Sequence, residues 1–378
     1  MKTALYRILD RNVSIESDSE ELLDRFDRDY GCFKVHGRIE GNRLCFSARL
    51  QDESPMLACT GTGFSDDAGG PVGTKPRTSR PDSALRPSPP ILHSLSGHPS
   101  PVSQAVQWIV QTLFAELTSF IILHAGVVEK NGRALILSGP PGTGKSTLTL
   151  ALLERGFGLL SDDVCPVDRA TGRVHPFPRT FRVVDADCGK GEPRKRPIAP
   201  EQLPGRVRTS PCIPGWLICL DAGERPGDIR LAAELRSGEE QAFVEDMAGI
   251  EAVRMTRLSP DFPKWRISYP AHAPLSSAVG RVIEKHRDRI WNLYRMDRVR
   301  PDFDRPPVPI PLAGYEAALA IMGELKQKPD SSRSDWGRTE SPGAYFAILA
   351  GLLSGVSCYR LTVGRLEEMI RQIEGVME

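Results

Sequence analysis

Between Gly139 and Thr147 the chain reads GPPGTGKST. Two glycines separated by four residues and followed by Lys and Ser have the spacing of a phosphate-binding loop. The segment comprises Gly139, Pro140, Pro141, Gly142, Thr143, Gly144, Lys145, Ser146 and Thr147. Its glycines let the backbone turn tightly and aim successive N–H groups at one anionic centre. Lys145 brings a point charge suited to the β- and γ-phosphates of a nucleotide, and Ser146 a hydroxyl suited to Mg²⁺. Sixteen residues beyond Ser146, a second short apolar run ends in Asp162 and Asp163. A carboxylate pair returned to the phosphate loop after one helix can hold a metal ion and accept a proton from an incoming hydroxyl. Neighbours on a strand point to opposite faces, so both acids can face the phosphates only if the strand stops there.

These residues need a strand, a loop and a helix in that order. Ala134–Leu137 is a short apolar run that predicts a buried strand, Leu148–Arg155 predicts a helix whose N-terminus faces the anion, and Gly156 suits the position just past its end. Phe157–Ser161 predicts the returning strand. Upstream, Phe120–Val128 reads as one strand carrying His124, and Lys130-Asn131-Gly132 as a tight turn that folds it back beside the loop. His124 is then placed to orient an acceptor or stabilise charge. Trp216–Leu220 predicts a further buried strand ending in Asp221, the arrangement of the Mg²⁺-linked strand in ordinary P-loop ATPases and the rival to the Asp162–Asp163 pair.

Around this core the expected organisation is a small N-terminal α/β module (residues 1–60), a Pro/Gly/Ser-rich linker (61–101) and a P-loop domain with a helical C-terminal part (102–378). In the module, Ala4–Leu9 reads as a strand, Ser17–Asp27 as an amphipathic helix, and Cys32–Ile39 with Leu44–Leu50 as paired strands about Glu40-Gly41-Asn42. Val102–Ser119 reads as an apolar helix opening the P-loop domain. Glu234–Ala248, Leu275–Tyr294, Leu312–Gln327, Ala344–Leu353 and Val363–Met377 read as further helices.

The 378 residues carry a formal net charge of +1, so no bulk field points to nucleic acid or an anionic membrane. The most apolar run, Ala105–Val128, is interrupted by Gln107, Gln111, Glu116 and His124, and reads as buried structure rather than a membrane span. Eight cysteines without a C-x-x-C pair argue against a zinc site and fit a reducing, cytoplasmic setting.

His124-Ala125-Gly126-Val127-Val128, the loop Gly139–Thr147 and Leu159-Leu160-Ser161-Asp162-Asp163, in that order, resemble the kinase core of the HPr kinase/phosphorylase family. His175-Pro176-Phe177-Pro178-Arg179 and Cys358-Tyr359-Arg360-Leu361 extend the resemblance to HPr-kinase-related proteins of bacterial gene clusters. The resemblance implies an α/β P-loop kinase core of HPr-kinase type and transfer of the γ-phosphate of ATP to a serine hydroxyl of a protein or peptide. It implies that His124, Lys145, Ser146, Asp162 and Asp163 line one site, and that the chain can form a homo-oligomer. The family's Glu-containing, glycine-rich segment linked to the reverse reaction has no counterpart here. The basic stretch Lys190–Pro200 occupies roughly that place, so the implication does not extend to phosphorylase activity or to HPr itself.

The expected chemistry places ATP on Gly139–Thr147, Mg²⁺ on Ser146 and Asp163, and the acceptor's proton on Asp162, with an exchange of roles between the two acids left open. Arg179 and Arg194-Lys195-Arg196 are further cations able to meet nucleotide or an acidic acceptor. Three function classes stay open: a protein or peptide serine kinase, a kinase for a small hydroxylated metabolite or sugar, and an ATPase or nucleotide-gated interaction protein that uses Asp221.

Overall fold

In the computed structural model the described residues are 1–39, 41, 43–51, 55–61, 91–94, 100–184, 195–222, 228–236, 238, 240–260, 263–295, 302–326 and 342–378. They fall into two compact units, residues up to Ser96 with Ser100–Leu117, and Thr118–Glu378.

The first unit is a five-stranded sheet of β1 (Lys2–Ile8), β2 (Arg11–Ser17), β3 (Arg43–Arg49), β4 (Met56–Gly61) and β5 (Ile91–Ser94), in that order, with α1 (Glu20–Tyr30) and α2 (Pro101–Glu116). β1 and β2 form an antiparallel hairpin, and β2 pairs parallel with β3. The Ser19 hydroxyl accepts from the Leu22 N–H at 3.3 Å, which starts α1 and turns Leu22, Leu23 and Phe26 inward.

Three features differ from the sequence expectation. The partner of β1 is β2, a strand absent from that reading, while Gly31–Phe33 is a 3₁₀ turn and only Lys34 bridges to Tyr6. The tight connection at Leu9 (φ 53°) and Asp10 makes the local hairpin, and local closure leaves Cys32–Ile39 outside the sheet. Ile91–Ser94, inside the expected linker, adds an edge strand to β4; residues 62–90 of that linker lie outside the described residues. Finally, α2 belongs to this unit rather than to the domain that follows. Trp108 meets Phe46 edge to face at 5.9 Å, and the Arg11 guanidinium donates to the Glu116 carbonyl at the end of α2.

The second unit opens with β6 (Phe120–Leu123), β7 (Gly126–Lys130) and β8 (Arg133–Ser138), then α3 (Lys145–Glu154), β9 (Gly158–Ser161), β10 (Cys165–Asp168), β11 (Phe181–Val184), β12 (Lys195–Ile198) and β13 (Ile213–Asp221). An inserted portion follows, containing β14 (Asp228–Leu235), α4 (Glu240–Ala248), β15 (Arg254–Arg257), β16 (Lys264–Pro270), α5 (Ala273–Lys285) and β17 (Ile290–Arg295). The chain closes through β18 (Pro309–Pro311), α6 (Gly314–Met322), α7 (Pro342–Leu352), β19 (Ser357–Thr362) and α8 (Leu366–Met377).

The central sheet has the order β18-β19-β13-β8-β7-β9. β8, β13 and β19 run parallel, while β7 lies antiparallel between β8 and β9. Alternation on β8 supplies both faces of the core. Leu135 and Leu137 pack with Leu148, Leu152, Ile370 and Ile373 of α3 and α8. Ala134 and Ile136 pack with Ala317, Ile321 and Leu349 of α6 and α7, and with β6 and β10. A parallel strand buried on both sides reads as a continuous apolar run, which is why ALIL was recognisable.

The insertion between β13 and β18 forms its own antiparallel sheet, β15-β16-β14-β17, over a core of Leu235, Phe243, Ile267 and Val279. Its strand–helix–strand–strand–helix–strand order is the split βαβ layout. The helix expected over Leu275–Tyr294 therefore stops at Lys285 and gives way to β17, and that expected over Glu234–Ala248 begins only at Glu240. Ile290, Trp291, Leu293 and Tyr294 favour a pleated surface once β14 supplies an edge.

Candidate active site

The phosphate loop leaves β8 at the centre of the sheet and enters α3. Gly139, Gly142 and Gly144 all take positive φ (149°, 94° and 86°). At Gly139 a side chain is excluded, since a Cβ would stand 2.9 Å from the Leu220 carbonyl oxygen on neighbouring β13. The turn closes on itself: the Thr143 hydroxyl donates to the Pro140 carbonyl at 2.9 Å. Lys145 is buried and its ammonium donates to the carbonyls of Gly139 and Pro140. Burial lowers its pKa, against the opposing pull of Glu324, Asp163 and Asp162.

β9 ends at Ser161, so Asp162 and Asp163 leave the strand in a bend. That is the condition under which both acids can serve one site. Gly126, at the start of β7, makes the approach possible: a Cβ there would collide with the Thr149 hydroxyl on α3, and it lies against the Asp162 backbone. The Ser146 hydroxyl donates to Asp162 Oδ2 at 3.0 Å, across the N-terminus of α3. Asp162 is 7% exposed, and its second oxygen, Oδ1, is buried without a hydrogen-bond partner. Burial raises the Asp162 pKa to about 6, outweighing the Ser146 hydrogen bond that lowers it, with Asp163 adding a further upward push.

Asp163 faces different surroundings. His124 Nδ1 lies 2.7 Å from its Oδ1, and Lys326 Nζ and Arg179 Nη1 lie 2.6 and 3.2 Å from its Oδ2. Burial alone would raise its pKa. The His124 hydrogen bond and the charges of Lys326 and Arg179 outweigh burial and hold it far below the usual carboxylate range.

Each basic group is delivered by backbone pairing. His124 does not sit within one continuous strand, as the sequence suggested. Phe120–Leu123 pairs with β10 and Gly126–Lys130 with β8 and β9, so His124 occupies the step between two sheets. Its N–H donates to the Glu324 carbonyl at 2.7 Å, and the Lys326 N–H donates to the Ile122 carbonyl at 2.9 Å. Arg179 follows Phe177, which is fully buried and whose N–H donates to the Leu160 carbonyl on β9. His175 of the same segment stands edge to face with Phe120.

The structure thus brings His124, Lys145, Ser146, Asp162 and Asp163 together. It adds Lys326, which sequence reasoning missed: 163 residues separate it from Asp163, and no motif surrounds it. Ser146, which the sequence paired with Asp163 for a metal, is bonded to Asp162 instead. Asp221 ends β13, the parallel neighbour of β8, and its carbonyl accepts from the Val363 N–H. Arg194 lies outside the described residues, as do Lys190–Pro193. Among the described residues no helix is long and apolar enough to cross a membrane, and no group of three or more His, Cys, Asp or Glu could hold a metal ion.

A parallel strand running through a glycine loop into a helix N-terminus, in a sheet covered on both faces, defines a P-loop α/β protein. Comparison with known proteins narrows that class. No family model matches the chain. It is similar to proteins named HPr kinase/phosphorylase: 34% identical over 67 residues to that of Chlorobaculum tepidum, 33% over 76 residues to that of Aromatoleum aromaticum, and 44% over 46 residues to that of Pelodictyon phaeoclathratiforme. These matches take in 18%, 20% and 12% of this chain. They span only 20%, 24% and 14% of those relatives' lengths. The structure of the Hpr(Ser) kinase/phosphatase from Coxiella burnetii shares 18% identity, covering 44% of this chain and 95% of that one, at a TM-score of 0.22, which is too low to support an inference. The resemblance to HPr kinase/phosphorylases suggested by the sequence is present in these local matches.

Proposed function

We propose that the chain is an ATP-dependent phosphotransferase that moves the γ-phosphate of ATP to a hydroxyl, with a serine of a protein or peptide as the acceptor. The single observation that carries this reading is Asp162: a buried carboxylate beside the phosphate loop, bonded to Ser146 through one oxygen and unpartnered at the other. A carboxylate whose pKa burial raises to about 6 suits proton acceptance near neutral pH.

ATP would lie on Gly139–Thr147, its phosphates facing the loop N–H groups and Lys145, which would exchange the carbonyls of Gly139 and Pro140 for phosphate oxygens. The residues fit Mg²⁺. Ser146 Oγ would hold it, with Asp162 Oδ2 the nearest carboxylate oxygen and the nucleotide supplying the rest, as Mg²⁺ sites of this kind do. Bound there, the ion would neutralise charge developing on the phosphates. Asp163 is a poorer ligand than the sequence suggested, because three basic groups already engage its two oxygens. Asp162 Oδ1 would take the proton of the acceptor hydroxyl, and His124, fixed by Asp163, would orient that acceptor.

The local similarity to HPr kinase/phosphorylases supports a kinase reading, and the protein acceptor is carried over from them as part of this proposal. The direct test is transfer of labelled phosphate from ATP by the purified chain to serine peptides and, separately, to small hydroxylated compounds. Turnover stimulated only by metabolites would move the acceptor to that class. A second reading, an ATPase acting on water, is favoured by the parallel pairing of β13 with β8 that brings Asp221 to the loop edge of the sheet. Under that reading Asp221→Ala abolishes ATP turnover while Asp162→Ala spares it.

A further inference from the structure

We propose that Lys326 is a catalytic residue of this site, a cation supplied by the C-terminal part of the chain that contacts the γ-phosphoryl group of the bound nucleotide. The proposal rests on the kinase reading above and deepens it.

Placement is the first support. Glu324–Lys326 pairs with Ile122–His124 through a bridge between Leu123 and Leu325 and two flanking backbone hydrogen bonds. One short antiparallel contact therefore seats His124 from the segment after β6 and Lys326 from the segment after α6, and both side chains end on the same carboxylate. The second support is crowding on one oxygen. Lys326 and Arg179 share Asp163 Oδ2, while His124 meets Oδ1. Because Arg179 also pairs that oxygen, Lys326 can move to an arriving anion without leaving the carboxylate uncompensated.

The third support is the chemistry of lysine. Its ammonium is a compact charge on a flexible four-carbon stem, able to leave Asp163 Oδ2 for a phosphate oxygen without moving the backbone. Arg179 would remain on Asp163 and hold its charge. The site would then use two lysines: Lys145 from the loop, reaching the β- and γ-phosphates, and Lys326 from the opposite side, reaching only the group to be transferred. Such a division resembles the cation that P-loop enzymes add in cis to stabilise the transferred phosphoryl.

The test compares affinities of the purified full chain for Mg–ADP and for Mg–AMP-PNP, a non-hydrolysable triphosphate, in the wild type, Lys326→Met and Lys326→Arg. Hydrogen bonds to charged groups of this kind set the expected size. Lys326→Met should weaken AMP-PNP binding about 10- to 100-fold and leave ADP binding within about two-fold, with Lys326→Arg recovering part of the loss. If Lys326→Met lowers both affinities equally, or neither, the residue is only a structural partner of Asp163 and the proposal is overturned. Should Lys326→Met fail to fold by circular dichroism, Lys326→Gln takes its place with the same criterion. Failure of the wild type to bind either nucleotide would bring down the kinase reading and this proposal together, whereas intact wild-type binding with an unchanged ratio sinks this proposal alone.

Discussion

Asp162 and Asp163 are neighbours in the chain, yet they stand in two contrasting halves of the site. The Asp162 half is dry: a 7% exposed carboxylate, one hydroxyl partner and an unpaired oxygen. The Asp163 half is half-open and cationic, with His124, Arg179 and Lys326 on one carboxylate. Desolvation dominates in the first and raises the pKa to about 6; charge dominates in the second and depresses it. Two acids one peptide apart are thereby suited to different work, one to exchanging a proton and one to staying ionised as an anchor.

The contrast can be broken most sharply at Asp162. Asp162→Asn should lower phosphate transfer by about 10²–10⁴-fold while nucleotide binding stays within a few-fold, measured by transfer assay and by calorimetry. Asp163→Asn should cost less, on the order of 10- to 100-fold in transfer, since it removes an anchor rather than the proton acceptor. It should also lower the thermal midpoint, because three basic side chains lose their shared counter-charge. Reversal of that ranking would mean that the acids' roles are exchanged.

A smaller effect tests how the dry half is built. Gly126→Ala would push a methyl group into the Thr149 hydroxyl and toward the Asp162 backbone. A destabilisation of about 1–3 kcal/mol is expected in denaturant unfolding. Smallest is the pH response. In the metal- and nucleotide-free chain Asp162 should take up a proton as pH drops through about 6, half protonated there and about ten-to-one one unit lower, read by its carboxyl carbon NMR shift. Asp163, with its depressed pKa, stays charged across that range and should add no second step. An Asp162 carboxyl shift flat from pH 7 to 5 would remove the raised pKa that suits it to proton acceptance.

Much of this site was legible before any fold was known. ALIL, the glycine loop and LLSDD are local patterns, and the structure has strand, loop, helix and returning strand where those patterns put them. Legibility failed wherever pairing was decided by a distant edge. Ile91–Ser94 is a strand because β4 offers an unpaired edge, and Ile290–Arg295 is one because β14 does. Phe120–Val128 looked continuous, but its halves join different sheets and the break at His124 is what exposes that side chain. Lys326 was invisible for the same reason.

Local sequence was enough to determine a phosphate loop with a pair of acids returned after one helix, because glycine conformations, apolar periodicity and helix ends act over a few residues. Only the tertiary structure decided which acid is dry and which is surrounded by cations. That difference arises from β7 wedged between β8 and β9, from Phe177 buried beside β9, and from a bridge to Leu325 far along the chain. Solvent access and charge proximity are set by what packs around a carboxylate, and such neighbours come from anywhere in the sequence.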